Sequence, residues 1–81
     1  MIIKVQLSDV LKDKLRNKSQ TGSGQLNIEL NHGSTLYDLF DELGLSVSQV
    51  GLVTLNGKQV NYKHLISDQD QVRIFSPMSG G

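Results

Sequence analysis

The segment Thr35-Leu-Tyr-Asp-Leu-Phe-Asp-Glu-Leu-Gly44 decides the fold, because it carries the clearest helical pattern of the chain. Thr35 is followed three positions later by Asp38, which is the spacing of a capping box. Gly44 supplies a stop signal. The apolar residues between them recur at the spacing of one helical face: Leu36, Leu39, Phe40 and Leu43. We therefore predict an amphipathic helix that packs one face against another layer.

Strands are predicted on both sides of this helix. Residues 2–7 alternate between apolar and polar, and a second alternating run of Leu26, Ile28 and Leu30 precedes the helix. After the helix, residues 52–55 and 71–76 have strand character, with a short return that begins at Gln59 and Val60. Asn56-Gly57 favours a tight hairpin turn, and the segment 67–70 favours a second turn.

A short additional helix is predicted after the first strand. Asp9 can cap a helix through about Asn17, with three apolar residues on one side: Val10, Leu11 and Leu15. The polar and glycine-containing segment 19–24 predicts a loop. The order of elements favours an α+β fold in which one main helix covers a mixed sheet of four to five strands. We expect the first and last strands side by side at the centre, and apolar contacts from Leu65 and Ile66.

The composition limits the possible functions. The 81 residues make one domain with a modest core, and 8 Lys and Arg residues balance 8 Asp and Glu residues, so nucleic acid and acidic membranes are not favoured as partners. The absence of cysteine suits a reducing cytoplasm. His32 and His64 stand alone, as ordinary surface histidines do, and no acid–base pair is evident. We expect a cytoplasmic protein that is not an enzyme and holds neither metal nor cofactor.

The most informative feature for function is the end of the chain. Gly80 and Gly81 follow a lead of Pro77, Met78 and Ser79. Two glycines remove both Cβ atoms beside a terminal carboxylate, so an extended tail can enter a channel that is too narrow for other residues. A frayed terminus is the plainer interpretation. We predict a folded domain over residues 1–76 and a flexible tail over 77–81.

The last strand offers a candidate interface beside this tail. If Val72 and Ile74 face the core, Arg73 and Phe75 face outward. Aromatic and arginine side chains are enriched at interaction hot spots, so Phe75 and Arg73 are candidates for contact with a partner. The alternative is that Phe75 packs under a loop.

The chain resembles the ubiquitin-like sulfur carriers in several features taken together. These are the order of elements, the Thr35 helix, the Asn56-Gly57 turn, the 67–70 turn and the ending Phe75-Ser-Pro-Met-Ser-Gly-Gly81. The likeness covers essentially the whole chain and is closest to the MoaD type, the small subunit of molybdopterin synthase, and looser to the thiamin-pathway carrier ThiS. It implies a β-grasp fold. The chain departs from the commonest MoaD-like tail in having one proline and Met78, and it lacks the third glycine frequent in ThiS-like tails.

The resemblance implies a two-step activation of Gly81. A ubiquitin-activating-type adenylating enzyme would use ATP to join the carboxylate to AMP, and a sulfur donor would then displace AMP to leave a thiocarboxylate. A MoaE-like large subunit of molybdopterin synthase, or another acceptor, would receive the sulfur. Three alternatives stay open: a ThiS-like carrier for thiamin thiazole synthesis, a protein modifier that is conjugated through Gly81, and a β-grasp binding module whose tail is incidental.

Overall fold

The computed structural model describes residues 1–14 and 24–77, which form one mixed sheet with a helix against one face. The sheet order is β2-β1-β5-β3-β4. The central pair β1 and β5 is parallel, and the other neighbours are antiparallel. The predicted placement of the first and last strands is therefore confirmed. The elements in chain order are β1 (Ile2–Leu7), α1 (Asp9–Lys14), β2 (Gln25–Glu29), α2 (Leu36–Leu43), a 3₁₀ turn (Val47–Gln49), β3 (Leu52–Leu55), β4 (Lys58–Gln59) and β5 (Gln71–Phe75).

Helix α2 begins and ends as its sequence predicts. The Thr35 N–H donates to the Asp38 carboxylate at 2.8 Å, which is half of the predicted capping box. At the other end Gly44 takes a left-handed conformation with φ of 77°, and its N–H donates to the Asp41 carbonyl. A β-carbon would be strained at that φ, so glycine is the natural stop. All four residues of the predicted apolar face are buried.

The core lies between α2 and the covered face of the sheet. Alternate residues of the strands face α2, so the period-two pattern of the sequence becomes one apolar layer. Burial of each such aliphatic or aromatic side chain contributes about 1.5–3 kcal/mol. The buried residues are Ile3, Val5, Leu7, Leu11, Leu26, Leu36, Leu39, Phe40, Leu43, Leu45, Val50, Val53, Leu55, Ile66, Val72 and Ile74.

The predicted turns are both present. Asn56 and Gly57 have φ values of 51° and 87°, as a tight hairpin with two positive φ angles requires. The Asn56 side chain also accepts from the Gln71 N–H at 2.9 Å, which ties the hairpin to the start of β5. In the second turn, the Asp70 N–H donates to the Ser67 carbonyl at 3.1 Å.

Helix α1 differs from its prediction in two respects. Ser8, not Asp9, occupies the capping position, because its carbonyl accepts from the Lys12 N–H at 2.7 Å and so closes the first turn. Val10 is 53% exposed while Leu11 is buried. Adjacent residues project about 100° apart on a helix, so a short helix buries only one of them. Leu15, the predicted extension to Asn17 and most of the predicted loop, 19–23, lie outside the described residues.

Two further differences lie outside the helices. Leu65 was expected to add apolar contacts, but it is 62% exposed whereas Ile66 is buried. Adjacent residues of extended chain point in opposite directions, so only one of them reaches the core. The 3₁₀ turn over Val47–Gln49 was not predicted, although Ser46 and Gln49 have capping-box spacing and the Ser46 N–H donates to the Gln49 side chain at 2.8 Å.

Candidate functional site at the root of the tail

The structure places the predicted site residues in two groups. Met78, Ser79, Gly80 and Gly81 lie outside the described residues. Pro77 is described, as are Arg73 and Phe75 of strand β5, and these three define where the tail begins. The site is therefore built from the end of β5 outward.

The end of β5 is held from both sides of the sheet. On the β1 side, the Ser8 N–H donates to the Ile74 carbonyl at 3.0 Å, and the Ser8 Oγ accepts from the Ser76 N–H at 3.2 Å. On the β3 side, the Gly51 N–H donates to the Phe75 carbonyl at 2.7 Å. These bonds extend the sheet pairing one residue beyond the strands. The chain is thus ordered by its neighbours up to the start of the tail.

The sheet face opposite α2 carries an apolar pair beside this root. Val72 and Ile74 are buried and Arg73 and Phe75 are exposed, as the alternation predicts. Phe75 is 39% exposed, and its register partner Leu52 on β3 is 36% exposed. Phe75 therefore lies on an open surface, and the alternative that it packs under a loop is not what the structure has.

Polar and basic side chains continue this open face away from the tail. Arg73 pairs in register with Gln6 and Thr54, and Lys4 pairs with Gln71 one row further on. Neither Lys4 nor Arg73 forms an ion pair with another described residue. An open depression of about 370 Å³ lies here. Its polar lining residues are Lys4, Gln6, Gln25, Asn27, Gln71 and Arg73.

A second depression adjoins the opposite side of β3. Its volume is about 490 Å³, and it begins at Gly51, directly beside the tail root. Its other lining residues are Leu52, Val53, Gln59, Val60, Asn61 and Tyr62. The lining offers amide and phenol groups but no nucleophile with a base beside it. This depression therefore suits contact with a partner rather than acid–base chemistry.

Asp68 has a carboxyl group whose pKa is lowered, chiefly because the Ile2 N–H donates a hydrogen bond to it at 2.6 Å. Asp68 lies in the turn before β5, at the end of the sheet away from the tail. Within residues 1–14 and 24–77 no three His, Cys, Asp or Glu side chains gather as metal ligands would.

None of the helices in the described ranges has the length and apolarity needed to cross a bilayer. The longest, α2, has 8 residues, and about 20 are required to span the hydrocarbon layer.

Sequence reasoning missed two residues of the tail root, Ser8 and Gly51. Ser8 binds a backbone group 68 positions further along the chain, and no local pattern marks such a pairing. Gly51 stands between the 3₁₀ turn and β3, where a glycine is unremarkable as a loop residue. Only the folded arrangement brings both to the end of β5.

A mixed five-stranded sheet in the order β2-β1-β5-β3-β4, covered by one main helix, is the β-grasp fold of ubiquitin-like proteins. The sequence profile of the ThiS family matches residues 13–81. The chain therefore belongs to the ThiS family of ubiquitin-like sulfur carriers. A search of curated protein sequences found no match.

Solved structures share the fold along nearly the whole chain. Small archaeal modifier protein 1 of Haloferax volcanii is 16% identical with a TM-score of 0.73, and the alignment covers 95% of this chain and 98% of that one. The putative molybdopterin converting factor subunit 1 of Pyrococcus furiosus is 23% identical with a TM-score of 0.73, covering 96% and 99%. In the complex of subunits 1 and 2 of the Helicobacter pylori molybdopterin-converting factor, the similar chain is 18% identical with a TM-score of 0.59, covering 100% of both. These likenesses confirm the predicted β-grasp fold.

Proposed function

We propose that this protein is a sulfur carrier whose Gly81 carboxyl group is adenylated, converted to a thiocarboxylate and used to build molybdopterin. The observation that carries the proposal is the ThiS-family match, which runs through the Gly80-Gly81 end. The protein itself is then a substrate of enzymes and not an enzyme. Residues 77–81 present the reacting carboxyl group to the partner enzymes, and the folded domain is the part that these enzymes bind.

The chemistry follows from the properties of the groups involved. A carboxylate is a poor acyl electrophile, so one of its oxygens first attacks the α-phosphorus of ATP and pyrophosphate leaves. The acyl adenylate is a good electrophile. A sulfide-level sulfur from the donor attacks its carbonyl carbon, AMP leaves, and the product is a thiocarboxylate with nucleophilic sulfur on Gly81. ATP and the adenylating residues belong to the activating enzyme.

The open face beside the tail is the surface we propose for partner contact. Leu52 and Phe75 supply an apolar centre, and Arg73 and Lys4 supply positive charge without a carboxylate partner among the described residues. Such a surface suits an enzyme that presents an apolar pocket with an acidic rim. The complex of subunits 1 and 2 of the Helicobacter pylori molybdopterin-converting factor supports a large-subunit partner for this chain.

A second candidate is a carrier for thiazole synthesis in the thiamin pathway, and the name of the matching family favours it. The two candidates share every step up to the thiocarboxylate and differ in the acceptor. They are separated by mixing the thiocarboxylated protein with a molybdopterin synthase large subunit and its pterin precursor, or with a thiazole synthase and its substrates. Loss of the thiocarboxylate in only one mixture identifies the acceptor.

The first experiment is the intact mass of the protein from its native host, before and after incubation with ATP and that host's activating enzyme. We expect the mass change that replaces one oxygen by sulfur, located on Gly81 by fragmentation. Covalent adducts that survive reducing denaturing electrophoresis would support a protein modifier instead. An unmodified terminus, with an enzyme that activates another carrier in the same assay, would contradict the proposal and favour a binding module.

A further inference from the structure

Gly51 lies directly against the first residues of the tail. A Cβ atom added to Gly51 would stand 2.5 Å from the Pro77 Cα, 2.6 Å from the Ser76 carbonyl oxygen and 2.7 Å from the Pro77 nitrogen. Carbon atoms that are not bonded prefer separations of about 3.5–4.0 Å. All three neighbours are backbone atoms, so no side-chain rotation relieves the overlap. Any other residue at position 51 has to move the chain at Ser76 and Pro77 or the start of β3.

Glycine suits position 51 because there is no room for a side chain there, and not because the backbone conformation requires it. The described glycines with positive φ are Gly24, Gly33, Gly44 and Gly57, and Gly51 is not among them. At Gly33, Gly44 and Gly57 an added Cβ would meet nothing within 4 Å. Gly51 is thus the described glycine whose lack of a side chain makes room for the tail.

The same residue also holds the tail that it makes room for. The Gly51 N–H donates to the Phe75 carbonyl at 2.7 Å, and on the other side the Ser8 Oγ accepts from the Ser76 N–H at 3.2 Å. Pro77 follows with a φ fixed near about −65° by its ring. The chain therefore leaves the sheet between two anchors, with one close backbone contact that sets its direction.

We propose that Gly51 is a positioning residue for the tail, assisted by Ser8, and that it aims the tail towards the active site of the activating enzyme docked on the Leu52 and Phe75 face. This rests on the proposed function, because it gives Gly81 the reacting carboxyl group. Any displacement of Pro77 shifts the point from which residues 78–81 start towards that active site. A misplacement of about 1 Å can cost roughly 100-fold in rate.

The test is the steady-state kinetics of adenylation for Gly51→Ala, followed by pyrophosphate release. We expect kcat to fall about tenfold or more while KM stays within about twofold, because the added Cβ meets the backbone of Ser76 and Pro77 and not the side chain of Leu52 or Phe75. Gly33→Ala is the matched control, since it lies at the opposite end of the sheet with φ of 88°. It should lower Tm and leave kcat unchanged. A Gly51→Ala protein with wild-type kcat would overturn the inference and leave the proposed function standing.

A second measurement decides the inference without any enzyme. By NMR, the wild-type protein should show slow exchange of the Ser76 amide and a cross-peak between the Gly51 and Pro77 α-protons. Gly51→Ala should alter the Pro77 shifts, and Ser8→Ala should speed the Ser76 exchange even if Gly51→Ala folds poorly. Unchanged Ser76 exchange and Pro77 shifts in both variants would overturn the inference. If the wild-type protein is not adenylated by a competent enzyme, the proposed function fails, and the NMR result still decides the role of Gly51.

Discussion

Phe75 exposes an aromatic side chain one residue before the tail root, on the face proposed for partner contact. We expect Phe75→Ala to raise the KM for adenylation about tenfold, which corresponds to about 1.4 kcal/mol and is typical of an interface anchor. Because Phe75 is 39% exposed, its truncation should cost only about 1 kcal/mol, which lowers Tm by about 4–8 °C in a domain of this size and leaves the protein folded. The measurements are adenylation kinetics and thermal unfolding.

Leu65 offers a control for this substitution. It is also exposed and apolar, but it pairs with Thr35 at the start of α2, away from the tail. Leu65→Ala should leave both KM and Tm near their wild-type values. Similar KM increases in the two variants would show that general surface apolarity, and not the Phe75 position, affects the activating enzyme.

Asp68 gives the fold a pH dependence at acid pH. Its pKa lies below the ordinary value of 3.8, mainly because the Ile2 N–H donates to the carboxylate. The charged form is thus favoured by folding, so its stabilising effect is complete above pH 3.8 and is lost as the pH falls through the lower folded pKa. Asp68→Asn should therefore lower Tm at neutral pH and flatten its decline in acid. An identical acid decline in both proteins would refute this assignment.

At the scale of elements, α2 supplies the largest single contribution to the core. Phe40 is buried and contacts Tyr62 edge-on, with ring centroids 5.7 Å apart. We expect Phe40→Ala to cost about 3–5 kcal/mol, from lost burial and the cavity that remains. Asp41→Ala, at an exposed position of the same helix, should have little effect. Chemical denaturation of the two variants tests this, and equal midpoints would contradict it.

The elements that sequence predicted correctly are those whose signals are local. The capping box and stop of α2 and the Asn56-Gly57 turn each depend on residues within a few positions, and strand alternation depends only on immediate neighbours. Helix α1 was predicted less well, because the short helix leaves Val10 on its exposed side. Which of two adjacent apolar residues is buried depends on the elements that pack against them, and the local sequence pattern does not show this packing.

The outward positions of Arg73 and Phe75 were predictable from strand alternation, whereas the contacts that hold the tail root were not. The role of residues 78–81 stays a prediction, because they lie outside the described residues. The apolar partner of Phe75 is Leu52, which requires the antiparallel register of β3 and β5. The roles of Ser8 and Gly51 require contacts between distant segments, and a serine or glycine in a loop has many ordinary reasons to be there.

At the scale of the whole molecule, folding and the proposed chemistry use different parts of the chain. The buried residues of the described ranges all fall between Ile3 and Ile74, and β5 completes its pairing with the bonds at Phe75 and Ser76. The core of the described residues is therefore complete before the proposed reactive end, so that end can be altered without loss of the domain.

Truncation of residues 78–81 tests this separation. We expect the Tm to change by less than about 4 °C, because changes away from the packed core usually cost no more than about 0.5 kcal/mol. Adenylation should fall to background, since the carboxyl group is then attached at Pro77 and too close to the domain to enter a channel. Removal of Gly81 alone should abolish thiocarboxylate formation as completely as the longer truncation does. Val10→Ala, a substitution at an exposed position of α1, should leave both the Tm and adenylation unchanged. If the truncated protein still performs its cellular role, the tail is incidental and the sheet face carries the function.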